Sequence, residues 1–424
     1  MNSPLNRFLI MSGMWFALWF LALLIIPVTS YLPNQEFIWV LNLSFLLSVF
    51  FSFLLVFYAF RYGNNKVQNE EVNRKYIYGK QLRFNVLLSS LGGVLGFLFI
   101  FYDRVFIRGI DYTAGLRAAR YQWLRESTGG SLFSVIGNLI VPFGYVSLFL
   151  LVVFFKELKK THKLFLFLSS SLGVVGHAAL NGGRSNLLIA IFVFLIIYIF
   201  TNKIGKHNIN KTSSKGYFYL SFVLVFSFVI YMTVQSASVA NISLVELVGL
   251  GVTSLYGAPT NNFEQIVNDY TALPVYIFSY LFHGSWTAEA LYSISERPGS
   301  YLFYPISVIA SSIGIMDSPI AMGYFSESGA FISFPGAIYY DFGFWGLIIF
   351  GIILGGFVGG AVYLLTRKRV TLITFGFCLY PLVIFFMLPI LPAYGLIYFN
   401  FVVYAFLFFG FLNKVLYYNR CYWL

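Results

Sequence analysis

Cysteine and histidine are scarce in this chain, two and four copies among 424 residues, and each scarcity closes a route. Cys378 lies inside an apolar run and Cys421 at the carboxyl end, so no disulfide framework is available, and His162, His177, His207 and His283 lack zinc-ligand spacing. A structural metal is not expected. Charge is thin as well, with Asp, Glu, Lys and Arg making 10% of the residues. Nucleotide-binding signatures are missing: there is no GxxxxGK[ST], no GxGxxG after a strand, and no Asp-x-Asp pair to hold a metal-bound nucleotide sugar. No cofactor is expected either.

What is present is apolar. Hydrophobic residues make 59% of the chain and gather into long runs, so the expected fold is an all-α polytopic membrane protein, one integral domain over 1–424. Ten spans fit, at roughly 8–30, 37–60, 84–102, 132–155, 164–181, 185–200, 217–234, 336–365, 371–391 and 396–413. The first follows the short start MNSPLNR, is too long for a signal-peptide core, and reads as a retained helix. Phe (50) and Tyr (31) exceed what spans alone usually need, which points some rings toward interfaces or a cavity.

The charges then sort by side. All lysines, together with Arg7, Arg61, Arg74, Arg83, Arg367, Arg369 and Arg420, fall in the loops and tails of one face, which the positive-inside rule makes cytoplasmic, with both termini there. That rule accounts for most of the net charge of +12, so nucleic acid is not an expected partner. The outer face receives Arg104, Arg108, Arg117, Arg120, Arg125, Arg184 and Arg297, with no lysine. Two outer segments are long enough to hold a site, 103–131 and 235–335. The second, ahead of the last three spans, contains apolar stretches such as LPVYIFSYLFHGSWTAEALYSI and YLFYPISVIASSIGIM, broken by Gly, Pro or charge. They read as short helices on or dipping into the membrane; if one pair crosses, the count becomes twelve.

Guanidinium is a rigid fork of donors that grips phosphate or carboxylate bidentately, whereas an ammonium is a point charge. Arginine without lysine therefore suggests anion recognition; the plain alternative is lysine exclusion alone, with each arginine paired to a local acid. Arg117 and Arg120 are spaced for one helix face, as are Arg104 and Arg108. Arg184, in NGGRSN, sits at the outer tip of a tight helical hairpin, where the next helix points its amino terminus outward and Gly182 and Gly183 allow close approach. STGGS at 127–131 offers a similar lead into the fourth span. His177 and His283 are the histidines placed to transfer a proton, and His283, Trp286 and Glu289 can share a helical face. Glu296, Asp317, Glu327 and Asp341 are further outward acids. With no nucleotide motif, chemistry on this face would need a donor already there.

FPGAIYYDFGFWGLIIFGIILGG at 334–356 resembles the Asp-Phe-Gly-x-x-Gly stretch entering a late span in O-antigen polymerases of the Wzy type, also described as oligosaccharide repeat unit polymerases. The arginine-tipped hairpin GGRSN and the long late outer loop before three spans are similar to that family too, and Arg104 to Gly115 matches an Arg-x10-Gly pattern of some members. The resemblance implies a GT-C-like, metal-independent transferase of the bacterial inner membrane. It would join undecaprenyl-pyrophosphate-linked repeat units at the periplasmic face, beside a flippase and a chain-length regulator (a polysaccharide co-polymerase). Under that resemblance Arg184, Arg117, Arg120, Arg104 and Arg108 would hold the pyrophosphate. His283 would act as base with Glu289 behind it, while Trp286, Tyr292, Asp341 and Glu327 would meet sugars. An O-antigen ligase and a lipid-linked oligosaccharide flippase remain the alternatives; the near absence of charge inside the spans speaks against transport.

Overall fold

The computed structural model describes residues 3–25, 35–63, 80–126, 131–155, 157–181, 184–204, short pieces within 227–249, 267–293, 300–312, 314–320, 332–366 and 370–416. For Arg184, His283 and Glu289 it describes the backbone alone. Among these residues every regular element is helical. The helices are α1 (Pro4–Ile25), α2 (Gln35–Gly63), α3 (Lys80–Tyr102), α4 (Leu116–Glu126), α5 (Leu132–Ile140), α6 (Phe143–Val153), α7 (Lys160–Ser170), α8 (His177–Asn181), α9 (Arg184–Ile204), α10 (Ala272–Thr287), α11 (Ser300–Ser312), α12 (Phe334–Thr366), α13 (Leu372–Met387) and α14 (Ile397–Leu416). Two π-helical turns, Asp103–Ile107 after α3 and Ser171–Gly176 between α7 and α8, complete the frame.

Seven helical stretches among the described residues are long and apolar enough to cross a membrane: Pro4–Ile25, Glu36–Tyr62, Gln81–Ile107, Leu132–Val153, Lys160–Asn181, Phe334–Thr366 and Ile397–Leu416. The stretches expected at 185–200 and 371–391 are shorter apolar helices, Asn186–Phe200 and Leu372–Met387, and that at 217–234 lies largely outside the described residues. α10 and α11 occupy the apolar stretches of segment 235–335. The outer surface supports a membrane-spanning chain. On α2, Val40, Leu43, Leu47, Phe51, Leu54, Tyr58 and Tyr62 are exposed in steps of three and four, one continuous helical stripe. Such a stripe in water would be an aggregation site; in lipid it is solvated.

Because lipid is as apolar as phenylalanine, helices must be held together by close packing rather than by escape from solvent. Small residues supply it. A Cβ at Gly359 of α12 would stand 2.7 Å from the Phe53 carbonyl oxygen of α2, and one at Gly355 would overlap the Val49 carbonyl, so the two backbones touch where side chains would part them. On the other flank a Cβ at Gly144 of α6 would come within 2.9 Å of the Gly173 Cα in the second π turn. Between these seams lies an aromatic interior in which Phe8, Phe385 and Phe386 pack ring on ring. Two indoles peg it polar-end first: Trp19 Nε1 donates to Ser285 Oγ of α10 at 2.9 Å, and Trp15 Nε1 to the Phe386 carbonyl at 2.8 Å.

Candidate functional site

At one end of the bundle α3 runs into the π turn Asp103–Ile107, a rare element that recurs at functional sites. It carries two charged side chains inward: Asp103 is fully buried and Arg104 is 4% exposed. Their circumstances differ. The Asp103 carboxylate accepts from Arg108 Nε at 3.0 Å and from the hydroxyl of Ser131, the residue that caps α5. Arg104 lies over the Trp123 ring of α4, 3.9 Å from its centroid, and donates from Nη2 to Asn181 Oδ1 at 3.0 Å. Its Nε and Nη1 are buried without a hydrogen-bond partner, as is Trp123 Nε1. All three unsatisfied atoms are donors, and each buried polar atom left so costs about 1–3 kcal/mol. Among the described residues these three donors find no acceptor.

The segment carrying Tyr112 and Arg120 is docked onto the end of α8 by the carbonyls that a helix carboxyl terminus leaves open. Tyr112 Oη donates to the Leu180 carbonyl at 2.8 Å, and Arg120 Nη1 to that of Asn181 at 3.4 Å. Burial pushes the Tyr112 phenol up to about 12, so it stays a donor. α9 then begins at Arg184, three residues beyond Asn181, presenting its amino terminus at this hairpin tip. Gly182 and Gly183 lie outside the described residues, as does 127–130.

His177 opens α8 directly after the second π turn and is 1% exposed, its ring centroid 4.3 Å from that of Tyr398 and tilted 33° to it. Its Nε2 meets Asn181 Nδ2 at 2.7 Å and its Nδ1 meets Asn186 Nδ2 at 3.3 Å. Arg104 already occupies Asn181 Oδ1, so Asn181 must donate and His177 Nε2 must accept. An imidazole accepting at Nε2 carries its proton on Nδ1, which then donates to Asn186 with that amide turned to present Oδ1. The bonds run one way from guanidinium to Asn186.

Of the arginines expected to act together, Arg104 and Arg120 meet at Asn181. Arg108 turns back to Asp103, because the π turn removes the helical register that would have set it beside Arg104. Arg117 also diverges from Arg120: its Nη2 donates to Tyr121 Oη at 2.9 Å, its guanidinium lies 4.7 Å from that ring's centroid, and its Nε is buried without a partner.

The remaining expected residues form a second neighbourhood. The carboxylate of Asp341, 3% exposed, accepts from the backbone amides of Tyr301 at 3.1 Å and Leu302 at 2.7 Å, capping α11. Gly343, two residues on, has φ 68°, the left-handed region, and breaks α12 there. The Asp-Phe-Gly stretch thus has a mechanical account: a helix cap followed by the turn only glycine takes freely. Trp286 is half-buried against the main core and the small cluster of Val248, Val267 and Ala272. Tyr292 is exposed, its ring edge-on to Phe37 at 5.5 Å. His283 falls in α10 and Glu289 in the 3-10 turn Ala288–Ser293, while Glu296, Arg297 and Glu327 lie outside the described residues. Of the residues central to the corner, Trp123 was not singled out by the sequence, whereas Asn181 and Asn186 fall within NGGRSN and Ser131 within STGGS, stretches read for their arginine and glycines.

No family model matches this chain, and neither a curated protein nor a solved structure does.

Proposed function

We propose that the chain is a membrane glycosyltransferase that polymerises undecaprenyl-pyrophosphate-linked oligosaccharide repeat units, an O-antigen polymerase of the Wzy type. The observation that carries this reading is the meeting of Arg104 and Arg120 on the Asn181 end of α8, just ahead of Arg184 at the start of α9, with buried donors left unfilled. Such a corner suits an anion that arrives from outside the protein. In this reading the fold is GT-C-like with ten to twelve spans, in the bacterial inner membrane, both termini cytoplasmic and the corner periplasmic. A flippase would supply its donor and a chain-length regulator would act beside it.

The reaction joins a hydroxyl of the acceptor unit to the anomeric carbon of the donor chain. The hydroxyl proton passes to a base, His283 with Glu289 behind it, while the carbon–oxygen bond to lipid pyrophosphate breaks and the electron pair leaves with the phosphate. Charge grows on that leaving group, and a fixed donor aimed at it is worth about 3–4 kcal/mol. Arg104, Arg120 and Arg184 supply such donors. Trp286, Tyr292 and Glu327 would meet sugars. Asp341 has both oxygens engaged by α11, so its part would be to hold that helix in place.

Deleting the gene and running lipopolysaccharide on a gel tests the reading. Polymerase loss leaves single-repeat molecules; bare core with lipid-linked polymer accumulating would identify a ligase instead, and an unchanged ladder would end the proposal. Arg184→Lys keeps the charge but loses the fork, and should remove most polymer at equal expression.

A further inference from the structure

The corner holds one more assignment, which rests on the reading above only in naming pyrophosphate as the anion. Arg104 is pinned on two sides: one face on the Trp123 ring, one edge on Asn181. Pinning a guanidinium costs side-chain freedom, and burying it with two unpaired nitrogens costs more, so the unpaired half of Arg104 works against the fold. Trp123 Nε1 faces the same lack. Three buried donors sit on two stacked side chains, and the adjoining buried carboxylate of Asp103 is already engaged by Arg108 and Ser131, so these donors call for acceptor oxygens from elsewhere. Phosphate oxygens, several on one centre, fit them better than any single carbonyl does.

Holding Arg104 in this attitude depends on Asn181 presenting its oxygen and not its amide nitrogen. His177 makes that choice. With Nε2 as acceptor it takes the Asn181 amide at 2.7 Å and leaves Oδ1 facing Arg104. Asn186 lies 3.3 Å from Nδ1, and the Tyr398 ring, its centroid 4.3 Å away and tilted 33°, packs against the imidazole. We propose that Arg104 and Trp123 are the donors that bind a phosphate ester at this corner, and that His177, through Asn181, is the positioning residue that sets the Arg104 guanidinium for it.

The stability of the ligand-free protein separates this from a structural role. Purified full-length protein in detergent is titrated with inorganic pyrophosphate, reading affinity calorimetrically and Tm in its absence. Arg104→Met should lose pyrophosphate affinity by about tenfold or more, the worth of a charged hydrogen bond, while its ligand-free Tm rises because a buried, half-paired charge is gone. Trp123→Phe keeps the ring and loses Nε1, so it should weaken binding by several-fold with little change in Tm. His177→Gln can accept from Asn181 and donate to Asn186 as the imidazole does and should keep most of the affinity, whereas His177→Phe should lose it; equal loss in both would reduce His177 to a packing residue. Wild-type affinity in Arg104→Met, or a lower ligand-free Tm, overturns the site. A further arm puts the protein in nanodiscs with and without phosphatidylglycerol: displacement of pyrophosphate by that lipid would assign the corner to bulk headgroups and overturn it too. Failure here leaves the gel test untouched. Conversely, an unchanged ladder after gene deletion alongside Arg104-dependent pyrophosphate binding would sink the polymerase reading and leave the site standing.

Discussion

Arg104 and Asp341 are both almost fully buried charges in a membrane bundle, and they are treated in opposite ways. Asp341 receives two backbone amides of α11 and closes the end of that helix. Arg104 receives one amide oxygen and a ring face, and two of its nitrogens receive nothing. A buried charge fully met by backbone explains itself as architecture. One held firmly yet left short of partners is arranged for something else, and that difference, not the charge itself, separates the two neighbourhoods.

The comparison can be broken most violently at Asp341. Asp341→Ala leaves two amides of α11 unpaired beside the kink at Gly343, at about 1–3 kcal/mol for each, so the variant should melt far earlier or fail to accumulate; normal melting would remove the distinction between the two charges. Ser131→Ala tests the partner side of the arginine corner. It removes both the hydroxyl bond to Asp103 and the cap on α5, where Ser131 accepts from the Ser134 amide at 3.1 Å, and should cost about 1–2 kcal/mol in denaturant titration. The smallest effect is at Tyr112. Its phenol rises through burial from 10.0 to about 12, so the folded protein keeps a proton over a range where the unfolded chain loses it. That contribution is whole below pH 10 and drains as pH climbs to about 12. The wild type should therefore lose thermal stability over that interval more steeply than Tyr112→Phe, and parallel curves would show the phenol to be solvated.

The helices were legible because apolar runs and charged loops alternate along the chain, and nine of the ten runs are mainly helical where described, two of them broken by a turn or a π turn. The hairpin tip was legible for the same reason: basic loops on both sides leave Arg184 nowhere else to go. What sequence spacing misjudged was the pairing of arginines. An i, i+4 relation puts Arg108 beside Arg104 on an α-helix, but the backbone there is a π turn. Trp123 and the two asparagines were hidden for a different reason. They are neutral, and Arg104 meets Asn181 across 77 positions, a contact fixed by docking of one segment on another. Asp341 was visible as an outward acid, yet only the fold reveals that α11 ends against it.

Both residues at the heart of the corner, Arg104 and His177, stand in or directly after a π turn. Such a turn is what a helix becomes when it absorbs one extra residue without shifting the remainder. Excising a single position from Ser171–Gly176 would restore an ordinary helix and leave the elements on either side, α7 and α8, in the places they hold now. The apolar ridges of α7 would keep their old neighbours. A residue gained or lost in such a turn is thus absorbed beside His177 without disturbing the lipid-facing surface.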